Sequence, residues 1–218
     1  KSDSRIYRVT SSMTYAYAAI LLLFCIYKEA FFVDGTWFHG FFTMFFSIFS
    51  SVFMIGILFI FSKFIDTALK YKNISIFIYV HIFFIFLTMA AVLPVLISGL
   101  EVYHSLQTDE DVSSLMNFGE TSTSSAVLLI VSRIGSFITA IMLGFQIRKI
   151  RFGEKSFFAI LGVLFIVYKL ISVVEAVNLI RSEILSGLLN VAIVSMIAYI
   201  LSRSVDANKN VFNALNTE

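Results

Sequence analysis

Six stretches of this chain are apolar for long enough to cross a bilayer, and that feature restricts the fold more than any other. A helix needs about 20 apolar residues to traverse roughly 30 Å of hydrocarbon, because each residue advances only about 1.5 Å. The qualifying stretches cover approximately 14–33, 38–62, 74–100, 124–147, 156–180 and 184–202. Composition agrees, with 59% hydrophobic and 14% charged residues and a mean hydropathy of +0.92. Soluble domains run nearer 45–50% apolar and about 25% charged. A water-soluble fold of 218 residues cannot hide this much apolar surface, since a domain of that size leaves much of itself exposed. The expected fold is an all-α polytopic bundle of six spans, a single transmembrane domain over residues 1–218, with an outer acidic loop at 101–123 and a polar tail at 203–218.

The basic residues set the expected orientation. With the N-terminus inside and six alternating spans, Lys1, Arg5, Arg8, Lys63, Lys70, Lys72, Arg148, Lys149, Arg151, Lys155, Arg203 and Lys209 fall on one side. Only Lys28 and Arg181 fall at the opposite face, while Arg133 and Lys169 lie within spans. Basic loops stay on the cytoplasmic or equivalent side, so both termini are expected there and the acidic loop opposite. Removing one span would scramble this asymmetry. Aromatic residues at the expected interfaces fit the same scheme, with Tyr15, Tyr17, Tyr71 and Tyr199 inside and Trp37 and Tyr103 outside. The first apolar stretch lacks the basic n-region and small-residue cleavage site of a removable signal, and reads as a retained helix. A single cysteine, Cys25, excludes an intramolecular disulfide.

Charges inside lipid cost about 2.5–3.5 kcal/mol each on insertion scales, so they mark the places to search for function. Arg133 lies in span four, and span five carries Lys169, Ser172, Glu175, Asn178 and Arg181 at intervals of three. Each such step turns the position by about −60° on a 3.6-residue helix, so neighbours touch while the ends of the series diverge. The pattern predicts a slanting polar stripe climbing to the outer surface. Span six adds Ser186 and Asn190 at the corresponding depth. The expectation is a polar cluster of Arg133, Lys169, Ser172, Glu175, Asn178 and Asn190, in which Arg133 or Lys169 pairs with Glu175. Such a cluster either lines an outward-open cavity for a small polar or anionic ligand or forms a structural ion pair holding three helices together.

Three further features are distinct from the cluster. Ser136, Ala140 and Gly144 repeat every four residues and form a small-residue face suited to close helix packing. Pro94 and Gly99, next to Glu101, are breaks at which the outer end of span three is able to unwind, a candidate gate. His39 and His104 sit at the outer edge and are weak metal-ligand candidates, whereas His81 reads as an interior histidine bonded to a neighbouring helix. No spacing demands a metal or any other cofactor, and none is expected. Neither a phosphate-binding loop, a zinc-protease helix nor a nucleophile elbow is present, so an enzyme is not expected. A net charge of +2 gives no reason for a nucleic-acid partner. The expected partners are the lipid bilayer and other membrane subunits or further copies of the chain. The leading expectation is a non-enzymatic subunit or helical scaffold of a membrane complex, and the alternative is an outward-facing sensor or transporter built on the polar cluster.

Overall fold

The computed structural model describes residues 2–31, 37–107, 123–150, 155–176 and 184–215, with side chains at 5–30, 42–94, 97, 127–150, 157–175 and 184–203. Six helices account for almost all of it: α1 (Ser2–Phe31), α2 (Trp37–Thr67), α3 (Lys72–Gln107), α4 (Thr123–Ile147), α5 (Lys155–Ala176) and α6 (Ile184–Leu215). Each contains a segment long and apolar enough to cross a membrane. There is no strand among the described residues.

The exposed surface is the kind that lipid covers. Leu23 is 64% exposed, Phe86 59% and Ile130 58%, and along α4 the exposed apolar side chains recur at Val127, Ile130, Ile134, Ile138, Met142 and Phe145. Those spacings of three and four trace one helical face turned away from the bundle. At about 25 cal/mol per Å², leaving such a face in water would be prohibitive. The all-α, multi-pass architecture expected from the sequence is therefore what the chain adopts.

Packing follows chain order. Each helix lies against its neighbours in sequence, and α6 returns to pack along α1, closing a ring. Two contacts give the direction of that last seam. The Ser11 hydroxyl donates to the Ala198 carbonyl at 2.8 Å, and Gly187 lies against the Cys25 sulfur. Residue numbers rise on one helix as they fall on the other, so α1 and α6 are antiparallel, and the start of α1 and the end of α6 lie toward the same end of the bundle. We call this the terminal end and the opposite one the far end.

The helix boundaries depart from the hydropathy spans where polar residues pack. The first helix starts at Ser2 instead of near 14, because Thr10, Ser11 and Thr14 are buried. Their hydroxyls are satisfied locally or across the seam, Thr14 donating to the Thr10 carbonyl at 2.7 Å and Ser11 to Ala198. Helix α6 likewise continues to Leu215, through most of the stretch expected to be a tail. Helix α3 runs without interruption from Lys72 to Gln107, through Pro94, Gly99 and Glu101. The expected unwinding there is absent, since a proline removes one backbone hydrogen bond without obliging the helix to end. The α2–α3 connection is tight, with Lys70 held at φ 60° and Tyr71 N–H donating to the Ile65 carbonyl at 3.1 Å.

The core occupies one half of the ring. Phe61, Phe64, Leu143 and Leu161 are fully buried in the halves of their helices nearer the terminal end, and Ile193 and Ile197 are fully buried in the middle part of α6. Hydroxyl pairs reinforce this half: Ser62 and Ser75 bond across α2 and α3, and Tyr7 Oη lies 3.2 Å from Thr67 Oγ1. At the membrane-interface level of this end, Arg203 Nε donates to Tyr199 Oη at 2.9 Å and Lys63 sits 4.9 Å from the Phe59 ring centroid. These are the amphipathic anchors expected near a headgroup layer.

Candidate functional site

Near the middle of the bundle each helix turns a polar group inward. Helix α4 forms the hub, because Ser132, Ser136 and Thr139 are all buried on its inner face. Thr139 Oγ1 donates to the Gly135 carbonyl at 2.7 Å. With its one proton committed, it accepts at 3.0 Å from His81 Nδ1 on α3, which makes Nδ1 the protonated nitrogen of that ring. One turn away, Ser136 Oγ accepts from Lys169 Nζ on α5 at 3.1 Å. Thus α3 and α5 grip the same turn of α4, and the Phe165 ring, edge-on to His81 at 6.4 Å, fills the space between them.

The remaining helices complete the belt. Tyr17 Oη on α1 donates to the Ser50 carbonyl on α2 at 3.0 Å and also meets the Ser50 hydroxyl. Tyr17 was expected at an interface, but it is 1% exposed. Its ring stacks on Phe53 at 5.3 Å, and its hydroxyl has a partner across the seam, so burial costs it little. On α6, Asn190 turns inward and its Oδ1 is buried without a hydrogen-bond partner. The contacts Phe157–Tyr199 and Glu175 to Ser186 bracket the α5–α6 seam and place Asn190 at about the depth of Lys169.

The belt divides two kinds of interior. Toward the terminal end, the inward positions are sealed. Beyond it, among the described residues, only Ala18, Leu21, Ala91 and Ser132 are buried. The inward positions beyond it are partly exposed, at Phe24 on α1, Phe46 on α2, Ile85 and Thr88 on α3 and Ser172 on α5. Lys169 itself is partly exposed, with its ammonium on Ser136 and 5.3 Å from the Tyr168 ring centroid.

The expected cluster is only partly brought together. Lys169, Ser172 and Asn190 face the interior, and Tyr168 shares a side-chain hydrogen bond with Ser172. Glu175 does not pair with Lys169. Its Oε1 accepts from the Ser186 N–H at 3.2 Å, capping the first turn of α6, where a carboxylate meets unpaired backbone donors and the positive end of the helix dipole. The slant of the stripe explains the separation: over six residues its ends diverge, Lys169 reaching α4 and Glu175 reaching α6. Arg133 is exposed beside buried Ser132 and has no partner among the described residues. The expected pairing of a cation with Glu175 is therefore replaced by two separate contacts. Asn178 lies outside the described residues, as do the side chains of Glu101, His39 and His104.

The small-residue face of α4 lies against α5. Ser136, Ala140 and Gly144 are buried, and a Cβ added at Gly144 would stand 2.6 Å from the Gly162 carbonyl oxygen of α5. Ser136 serves twice, as a small packing residue and as the acceptor for Lys169. Sequence reasoning missed the His81–Thr139 and Tyr17–Ser50 bonds. A signal for the first existed in the run of hydroxyls at 132, 136 and 139, which share one face of α4. Among the described residues, no three of His, Cys, Asp and Glu gather where they would hold a metal ion. Compared with protein-family models, with curated proteins and with solved structures, the chain matches none.

Proposed function

We propose that the protein is a membrane-embedded sensor or carrier that receives a small polar or anionic ligand from the far-end side onto its polar belt. One observation carries this reading. Where the inward positions change from buried to partly exposed, Lys169 has a hydroxyl but, among the described residues, no carboxylate, and the Asn190 carbonyl has no partner among them. A cation and an amide left with spare hydrogen-bonding capacity at membrane depth are costly, and such groups commonly belong to ligand pathways. On the expected orientation the far end faces outward. Neither catalysis nor a cofactor is required.

The test is thermal unfolding of the purified protein in nanodiscs against a panel of small anions, amino acids and neutral polar solutes. A ligand bound only by the folded form raises the melting temperature. Lys169→Gln should abolish the shift given by an anionic ligand. If no panel member stabilises the folded protein, the reading fails.

A second reading, a non-enzymatic subunit or scaffold of a larger complex, is favoured by a different observation. Arg133 is exposed on α4 beside exposed Ile130 and Ile134, a charge among lipid-facing side chains. A neighbouring subunit bearing a carboxylate would satisfy it. Stable stoichiometric partners after purification in mild detergent, lost on Arg133→Leu, would support this reading.

A further inference from the structure

We infer that the terminal end of the α3–α4 seam holds the headgroup of a phospholipid carrying two phosphates, bound by Lys70, Lys72, Asn73 and Lys149. This surface lies at the opposite end of the bundle from the ligand side proposed above and is independent of that reading.

Register brings these residues to one level. His81 on α3 bonds Thr139 on α4, and Phe84 lies against Gly135, so the two helices are antiparallel with their levels fixed. Lys72 is nine residues back from His81 and Arg148 nine on from Thr139, so both stand about 13 Å from that bond, toward the terminal end. Asn73 is three turns from Phe84, and Lys149 nearly four turns from Gly135, which places each on the seam side of its helix. Both are exposed, as are Lys72 and Lys70, the last held in the tight α2–α3 turn. Arg148 departs toward α5, where its Cγ packs against the Gly162 position. Neighbouring helix axes lie about 8–10 Å apart, so long side chains from both sides of the seam reach one headgroup. Among the described residues, none of Lys70, Lys72 and Lys149 has a carboxylate within ion-pair distance. The one acidic residue of the α2–α3 connection, Asp66, is outnumbered by Lys63, Lys70 and Lys72.

The surroundings point to a lipid. Lys72 opens the apolar segment Lys72–Pro94, and Lys149 follows directly on the segment Val127–Ile147, so both cations stand where hydrocarbon gives way to phosphate. Beneath them the same two faces continue as hydrocarbon. Ile76 and Val80 follow Asn73 at spacings of three and four, Phe145 and Met142 precede Lys149 at spacings of four and three, and all four are exposed. Cations above a strip of exposed apolar side chains suit an amphiphile, whereas a soluble polyanion would use the cations alone. Basic pockets between membrane helices recognise multiply charged headgroups in this way. Two phosphates match cations distributed over two helix ends; a single phosphodiester has one charge and matches one side.

The experiment follows thermal unfolding of the full chain in phosphatidylcholine nanodiscs, alone, with a minor fraction of cardiolipin, or with phosphatidylglycerol at matched charge. Cardiolipin should raise the melting temperature by several degrees, as a ligand of the folded form does, and phosphatidylglycerol by less than half as much. Lys72→Gln combined with Lys149→Gln should lose most of the cardiolipin shift. Arg5→Gln combined with Arg203→Gln, which removes two charges from α1 and α6 across the ring, should keep it. All four residues are exposed; if the lysine pair does not fold, Lys149→Gln alone carries the test. Equal loss in the two double variants would overturn the inference, because the attraction would then be diffuse surface charge. An equal shift from phosphatidylglycerol overturns it, since the second phosphate would do nothing. So does an equal shift from inorganic phosphate added to pure phosphatidylcholine discs, which would leave the hydrocarbon strip idle. No shift from cardiolipin overturns it outright, and the reading of the polar belt stands or falls separately.

Discussion

A lysine in hydrocarbon must find acceptors, and Lys169 finds a serine hydroxyl where a carboxylate was expected. The difference matters because a buried ion pair would be complete, whereas a lysine on a hydroxyl is not. Two predictions belong at this scale. Thr139→Val removes the acceptor of His81 Nδ1 and leaves a buried N–H unpaired. It should destabilise the fold by about 1 kcal/mol, within the modest range measured for bonds between membrane helices; denaturation with SDS in mixed micelles would measure it. Asn190→Leu should act in the opposite direction. Its Oδ1 is buried without a partner, so replacing the amide by an apolar group should gain about 1 kcal/mol in the ligand-free protein. A residue that weakens its own fold fits a binding group better than a strut. An unchanged or lower stability for this variant would count against that view.

At the scale of elements, the α4–α5 seam holds the site in register. Gly144 and Gly162 let the two backbones touch, with a Cβ on Gly144 falling 2.6 Å from the Gly162 carbonyl oxygen and 2.7 Å from Ile166 Cγ1. Backbone oxygen cannot yield as a flexible side chain can. Gly144→Ala should therefore push the helices apart and cost about 1–3 kcal/mol, the usual range for overpacking. Because Ser136 lies two turns along the same face, the Lys169–Ser136 bond should lengthen as well. The small-residue repeat was legible in the sequence because spacing of four is a local property of a helix. The partner glycine was not, since nothing in the spacing of one helix says which residue of another will meet it.

For the molecule as a whole, the orientation of the ring is the property most open to test. The exposed basic residues Arg5, Arg8, Lys63, Lys70, Lys72, Arg148, Lys149 and Arg203 gather at the terminal end. With Cys25 replaced by Ala, single cysteines at Lys70 and Lys149 should react with an impermeant maleimide from one side of the membrane. A cysteine at Ser172 should react from the other side, through the looser half. Reaction of the first two from opposite sides would contradict the antiparallel ring, and a silent Ser172→Cys would contradict an open far half.

Length and hydropathy alone determined that the chain is six helices crossing a membrane, because crossing depends only on how many consecutive residues hydrocarbon accepts. The sequence further showed which face of α5 is polar, since the 3.6-residue period assigns every residue an angle about its own axis. Only the tertiary structure decided how the helices are rotated against one another. A hydrogen bond survives over a few tenths of an ångström, and rotating a helix by one residue's angle moves a side chain to a different neighbour. That is why Glu175 caps α6, Lys169 meets Ser136, and Tyr17 lies in the core. The change from buried to partly exposed inward positions has the same origin: it depends on how six helices pack together, and no helix carries that information by itself.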